Sequence, residues 1–68
     1  MTVNKVKIDG LKTQQQLEAL KQRLLKMIGV SSVEIDLDKQ QVSIEFETPT
    51  NLNSIEKEIY DDGYKVLN

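Results

Sequence analysis

The chain contains no cysteine and no histidine. Without thiols no disulfide can form, and the thiolate and imidazole donors on which zinc and copper sites most often rely are missing. The same absences remove the commonest catalytic base and the strongest nucleophile, so an enzyme is not expected. There is a single arginine, Arg23, a single proline, Pro49, and only 4% aromatic residues. Neither sign of charge dominates: 11 acidic residues face 9 basic ones, for a net charge of −2. A general nucleic-acid binder usually shows a strong basic excess, so no nucleic-acid partner is expected. No apolar run approaches the roughly 20 residues that cross a bilayer. The opening Met-Thr-Val-Asn-Lys-Val-Lys-Ile lacks the layout of a signal peptide. A soluble cytoplasmic protein without a membrane partner is the expectation.

What is present fits one small domain, residues 1–68, with 38% hydrophobic residues. A chain of this size buries only about 60% of its unfolded surface, so modest stability is expected. Val6 and Ile8 alternate with Lys5 and Lys7, the pattern of a half-buried strand ended by Asp9-Gly10. Leu17, Leu20, Leu24 and Ile28 recur at helical spacing, with Leu25 and Met27 alongside. They predict an amphipathic helix from about Gln14 to Ile28, closed by Gly29. Met27 on the apolar side reads as core filler, and Met1 is expected to be mobile. Val33, Ile35 and Leu37 then alternate with Glu34, Asp36 and Asp38, and Val42, Ile44 and Phe46 with Ser43, Glu45 and Glu47. This is a hairpin with one apolar face and a turn longer than two residues. Pro49 breaks its second strand. Leu52, Ile55 and Ile59 predict a second helix, capped by Asn51 or Asn53, with Glu56 at capping-box spacing from Asn53. Asp62-Gly63 ends it, and Tyr64-Lys65-Val66 is a last short strand. The order βαββαβ predicts an α+β, ferredoxin-like domain: a four-stranded antiparallel sheet, order 4-1-3-2, with both helices on one face.

Ile8-Asp9-Gly10-Leu11, Gly29-Val30, the two hairpin strands and Gly63-Tyr64-Lys65-Val66 occur together in register over nearly the whole chain. In this the sequence resembles the heavy-metal-associated domain family of copper chaperones. That family carries Gly-Met-x-Cys-x-x-Cys after its first strand. The resemblance places Gly10, Leu11, Thr13, Gln16 and Tyr64 at the metal-loop positions, with Leu11 in place of methionine, Thr13 at the first cysteine and Gln16 at the second. It further implies that Tyr64 packs beside the loop, against Leu11. In the family paired thiolates grip Cu(I); a hydroxyl and a neutral amide are hard, uncharged donors and poor ligands for it. Thr-x-x-Gln is also a capping box, which predicts that Thr13 and Gln16 start the first helix and bind no metal. No cofactor is expected.

The remaining charges offer weaker leads. Lys12, Lys21, Arg23 and Lys26 against Glu18 give the first helix and its approach three net positive charges. Glu56, Glu58, Asp61 and Asp62 against Lys57 give the second helix three negative ones. A dipolar helical layer is what electrostatic docking uses, which makes these eight the docking candidates. Asp36 with Asp38, and Asp61 with Asp62, lack calcium-loop spacing and read as solvated surface. Lys5 and Lys7 are expected to pair across strands with Glu45 and Glu47. The absence of aromatic residues there argues against an RNA-recognition domain of the same fold. Acylphosphatases share the fold too, but Arg23 lies deep in a helix and not in a phosphate loop. The leading expectation is a non-catalytic protein–protein docking or regulatory module. Its partner is an unidentified protein, for which the resemblance suggests a metal-transport or copper-regulatory one. The alternatives are a metal-binding protein with non-cysteine ligands and a small-molecule-binding regulatory module of the ACT kind, the latter on topology alone.

Overall fold

Alternation sets the first strand, β1 (Thr2–Asp9): Val6 and Ile8 are buried, while Lys5, Lys7 and Asp9 face solvent. The computed structural model describes residues 2–67; Met1, for which mobility is expected, lies outside them. After β1 come α1 (Gln14–Leu25), β2 (Val30–Asp36), β3 (Gln41–Phe46), α2 (Leu52–Asp61) and β4 (Lys65–Val66). The strands form one antiparallel sheet in the order β2-β3-β1-β4. This is the expected 4-1-3-2 order read from the other edge. Leu20 and Leu24 of α1 and Ile55 and Ile59 of α2 are fully buried against Val6, Ile8, Val42 and Ile44 of the sheet. Each such side chain contributes roughly 1.5–3 kcal/mol by leaving water.

α1 ends at Leu25, three residues before the periodicity suggests. Lys26 and Met27 donate their amides to Arg23 and Leu24, three residues back, at 3.4 and 3.1 Å. These bonds tighten the last turn and lead the chain out of the helix. Met27 still packs on the core, but Ile28 is 74% exposed and is no part of the apolar stripe. Gly29 is therefore not the helix stop. Its backbone runs against Glu47, whose amide donates to the Gly29 carbonyl at 2.9 Å.

The hairpin turn spans four residues, Leu37 to Gln40, with Asp36 Oδ1 accepting from the Lys39 amide at 3.0 Å. α2 is capped by Asn51, which accepts from the Ser54 amide at 2.8 Å. Asn53 already lies inside the helix, so the Asn53–Glu56 capping box does not form. The cross-strand charge pairs are also not in register. Lys5 stands opposite Ser43, Lys7 opposite Gln41, and Glu45 opposite Val3. Glu47 lies beyond the end of β3.

Candidate functional site

The segment between β1 and α1 is built from backbone geometry and two side-chain amides. Gly10 turns the chain at a φ of +106°, a region that favours glycine. It does so against the Tyr64 ring: a Cβ added at Gly10 would lie 3.6 Å from Tyr64 Cδ1. Leu11 sends its side chain into the core and is 3% exposed, in the same hydrophobic cluster as Tyr64. Burial, with the Asp62 charge second, raises the Tyr64 hydroxyl above a tyrosine's ordinary pKa. The phenol therefore stays neutral at physiological pH and offers no anionic oxygen.

Thr13 is the N-cap of α1, in extended conformation, and the capping box closes as its spacing predicts. Thr13 Oγ1 accepts from the Gln16 amide at 3.0 Å. Gln16 Oε1 accepts from the amides of Thr13 at 3.3 Å and Lys12 at 2.8 Å. Both side chains are thereby committed to amides that a helix start would otherwise leave unpaired. Thr13→Ala is expected to destabilise the fold by about 1 kcal/mol, seen as a melting temperature lower by roughly 4–8 °C. A variant that melts with the parent chain would show that the cap carries no stability.

Gln40, in the hairpin turn, is the residue of this site that sequence reasoning missed. Its φ of +52° lies in the left-handed region, and its side chain reaches across to the loop. Gln40 Nε2 donates to the carbonyls of Leu11 at 2.6 Å and Leu37 at 2.7 Å, and Oε1 accepts from the Leu11 amide at 3.0 Å. Its own carbonyl accepts from the Ile8 amide at 2.9 Å. One amide thus satisfies both backbone groups of Leu11. The only signal available was a long turn without glycine, which does not say where the side chain goes. Gln40→Ala is expected to cost roughly 1–3 kcal/mol, because three backbone groups, the Leu11 amide and the carbonyls of Leu11 and Leu37, lose their part-buried bonds to the Gln40 side chain. Denaturant unfolding measures the loss, and faster hydrogen exchange at the Leu11 amide localises it.

Three of the docking candidates, Arg23, Glu58 and Asp62, pair with one another. Arg23 Nε donates to Glu58 Oε2 at 2.8 Å, and Arg23 Nη1 to Asp62 Oδ1 at 3.0 Å. The opposite charges of the two helices thus meet each other at a partly exposed contact between α1 and the end of α2. These two pairings are also what raises the Arg23 pKa, the Glu58 hydrogen bond most of all. Asp61 pairs with Lys57 along α2 at 3.7 Å. Lys12 and Lys26 stand exposed at opposite ends of α1, and Lys21 and Glu56 are half-buried. Among the described residues no three carboxylates converge as a cation site would require.

The chemistry available at the loop is therefore backbone recognition and neutral hydrogen bonding. The donors at positions 13 and 16 do not fit a soft monovalent ion: both are hard, and both already serve the helix start.

Residues 5–65 match the family model described as the heavy-metal-associated domain. The chain is 35% identical over 66 residues to the copper chaperone CopZ of Staphylococcus haemolyticus, covering 94% of this chain and 97% of that protein. It is 33% identical over 61 residues to the COP-associated protein of Helicobacter felis, covering 90% and 92%. A solved structure described as CsoZ metallochaperone superposes with a TM-score of 0.96 at 46% identity, over 98% of this chain and 97% of that one.

Proposed function

The chain belongs to the heavy-metal-associated domain family, and from that premise we propose that it is a non-catalytic docking or regulatory module that does not carry Cu(I) at its family loop. The observation that carries this reading is the closed capping box. Gln16 Oε1 binds the Lys12 and Thr13 amides, and Thr13 Oγ1 binds the Gln16 amide. A helix start occupies the two positions at which the family resemblance places the thiolates, and the sequence has no cysteine or histidine to replace them.

The loop nevertheless keeps a defined surface, held from behind by Tyr64 and Gln40. Such a surface supports recognition by a protein that reads the same scaffold, in a metal-transport or copper-regulatory setting. Lys12 projects beside the loop, and with Lys26, Lys21, Glu56 and Asp61 it makes up the docking charges not tied to Arg23. Arg23, Glu58 and Asp62 contribute to this function by fixing the two helices together. A cytoplasmic location fits this role; among the described residues no helix is long and apolar enough to cross a membrane.

The test is a titration of the isotopically labelled chain with the heavy-metal-associated domain of a copper-transporting ATPase from the same organism, followed by amide chemical shifts. Shifts should change from Lys12 to Gln16 and at Lys26, and should fade at about 0.5 M salt, where screening weakens exposed charge pairs. Titration without any shift change would reject this partner class.

A further inference from the structure

We propose that the open edge of β2 is a strand-addition site for an extended segment of a partner protein. That segment carries apolar residues on the side facing α1 and lysine or arginine, at alternate positions, on the other. The site adjoins the loop at Gln14 and extends the docking reading to a second surface.

β2 is an outermost strand of the sheet, next to β3 only. Which of its backbone groups are open follows from the hydrogen-bond phase of β3. The Glu47 amide donates to Gly29, and the Ser31 hydroxyl donates to the Glu45 carbonyl, so odd-numbered residues on this side of the hairpin turn their backbone toward β2. Ile8 donates to the Gln40 carbonyl, so even-numbered ones turn toward β1. With Glu34 opposite Ser43 and Asp36 opposite Gln41, Glu34 and Asp36 bond to β3. Val33 and Ile35 then present their N–H and C=O groups to the outside, because antiparallel ladders alternate in this way. The irregularity of the strand lies between Val30 and Ser32, which leaves the stretch from Val33 onward regular.

The surroundings of this edge suit an added strand. A groove of about 620 Å³ wraps around it. On the helix side it is lined by Leu17, Ile35 and Leu37, the last two half-buried apolar residues at the sheet margin. On the other side it is lined by Glu34 and Asp36. A strand laid along β2 would place alternate side chains over the apolar lining and the rest beside the two carboxylates. The lysines of the groove lie further off. Lys5 is on β1, beyond Ser43; Lys39 is in the turn past the end of the strand; Lys21 is on α1, where Glu18 accompanies it. The nearest cross-strand neighbours are thus both acidic, and charge complementarity selects a basic segment. It also disfavours a second copy of this chain, whose β2 would bring the same two carboxylates to the shared face. β4, the other edge, has only two residues and offers too short a template.

The experiment uses the intact labelled chain and a capped synthetic peptide of about seven residues alternating lysine and valine, the length of an ordinary strand. Amide shifts should change along Val33 to Leu37 and at Leu17, and the Val33 and Ile35 amides should become protected from exchange. A glutamate–valine peptide of the same length should bind more weakly. Glu34→Lys, at an exposed position, should weaken the lysine peptide by about fivefold, the effect of one cross-strand charge pair. It should also improve the glutamate peptide. Three results overturn the proposal: no shift changes, equal binding of both peptides, or shifts confined to other surfaces. Protection of Val33 and Ile35 that grows with protein concentration alone would also overturn it, by identifying a second copy as the occupant. Failure here leaves the ATPase-domain titration at Lys12 to Gln16 unaffected, so the two readings fail separately.

Discussion

Thr13→Cys combined with Gln16→Cys is expected to give the chain a site that holds Cu(I) tightly. Two thiolates at these positions would stand one helical turn apart at the start of α1. Gly10 turns the chain against Tyr64, Gln40 fixes both backbone groups of Leu11, and Thr13 sits at the N-cap with Gln16 one helical turn on. No core residue changes, since both positions are exposed. The cost is the capping box, about 0.5–2 kcal/mol. Binding of the ion to the folded state alone would offset that loss. The double variant should therefore melt slightly below the parent chain without metal and above it with Cu(I) under reducing conditions. A well-folded variant with no gain in Cu(I) affinity would mean that the loop does not have the conformation its relatives use.

The second large effect is expected at Gly29. A Cβ there would lie 2.3 Å from the Glu47 carbonyl oxygen and 3.4 Å from that of Thr48, on a backbone with φ of +97°. The obstacle is main chain and cannot turn aside. The same junction is held by the Glu47 amide on the Gly29 carbonyl and the Thr50 hydroxyl on the Ile28 carbonyl. Gly29→Ala should cost about 3 kcal/mol or more in denaturant unfolding, combining backbone strain with a forced separation of two segments. Gly63→Ala is the control. Its φ of +101° is similar, but nothing lies within 4 Å of its would-be Cβ. It should lose only about 1–2 kcal/mol from conformation. Equal losses at the two glycines would remove the close approach from the explanation.

The sheet and the helices were legible in the sequence because each rests on a local period. The alternation of Val33, Ile35 and Leu37, and the spacing of Leu17, Leu20 and Leu24, survive in the fold. The capping box was legible for the same reason: Thr13 and Gln16 interact within one turn. What sequence could not show is set by contacts between distant segments. Ile28 continues the helical spacing, yet the chain leaves the helix before it and approaches Glu47 through Gly29. Lys5 and Glu45 share the open face of the sheet, but their register follows from the pairing of β1 with β3, which are distant in sequence. Arg23 is a surface charge whose partners, Glu58 of α2 and Asp62 at its C-cap, lie 35 and 39 positions away in sequence. Gln40 was invisible as a loop residue because its hydrogen bonds to Leu11 span 29 positions of sequence.

A family loop closed on itself by a capping box should present a surface without gripping Cu(I). Competition between the unmodified chain and a chromophoric Cu(I) chelator, under reducing conditions, tests it most directly. The chelator should keep its metal at every protein concentration, because the donors at positions 13 and 16 are hard and already bound to the Lys12, Thr13 and Gln16 amides. Stoichiometric withdrawal of Cu(I) by the chain would contradict it and would require a metal site built from other ligands.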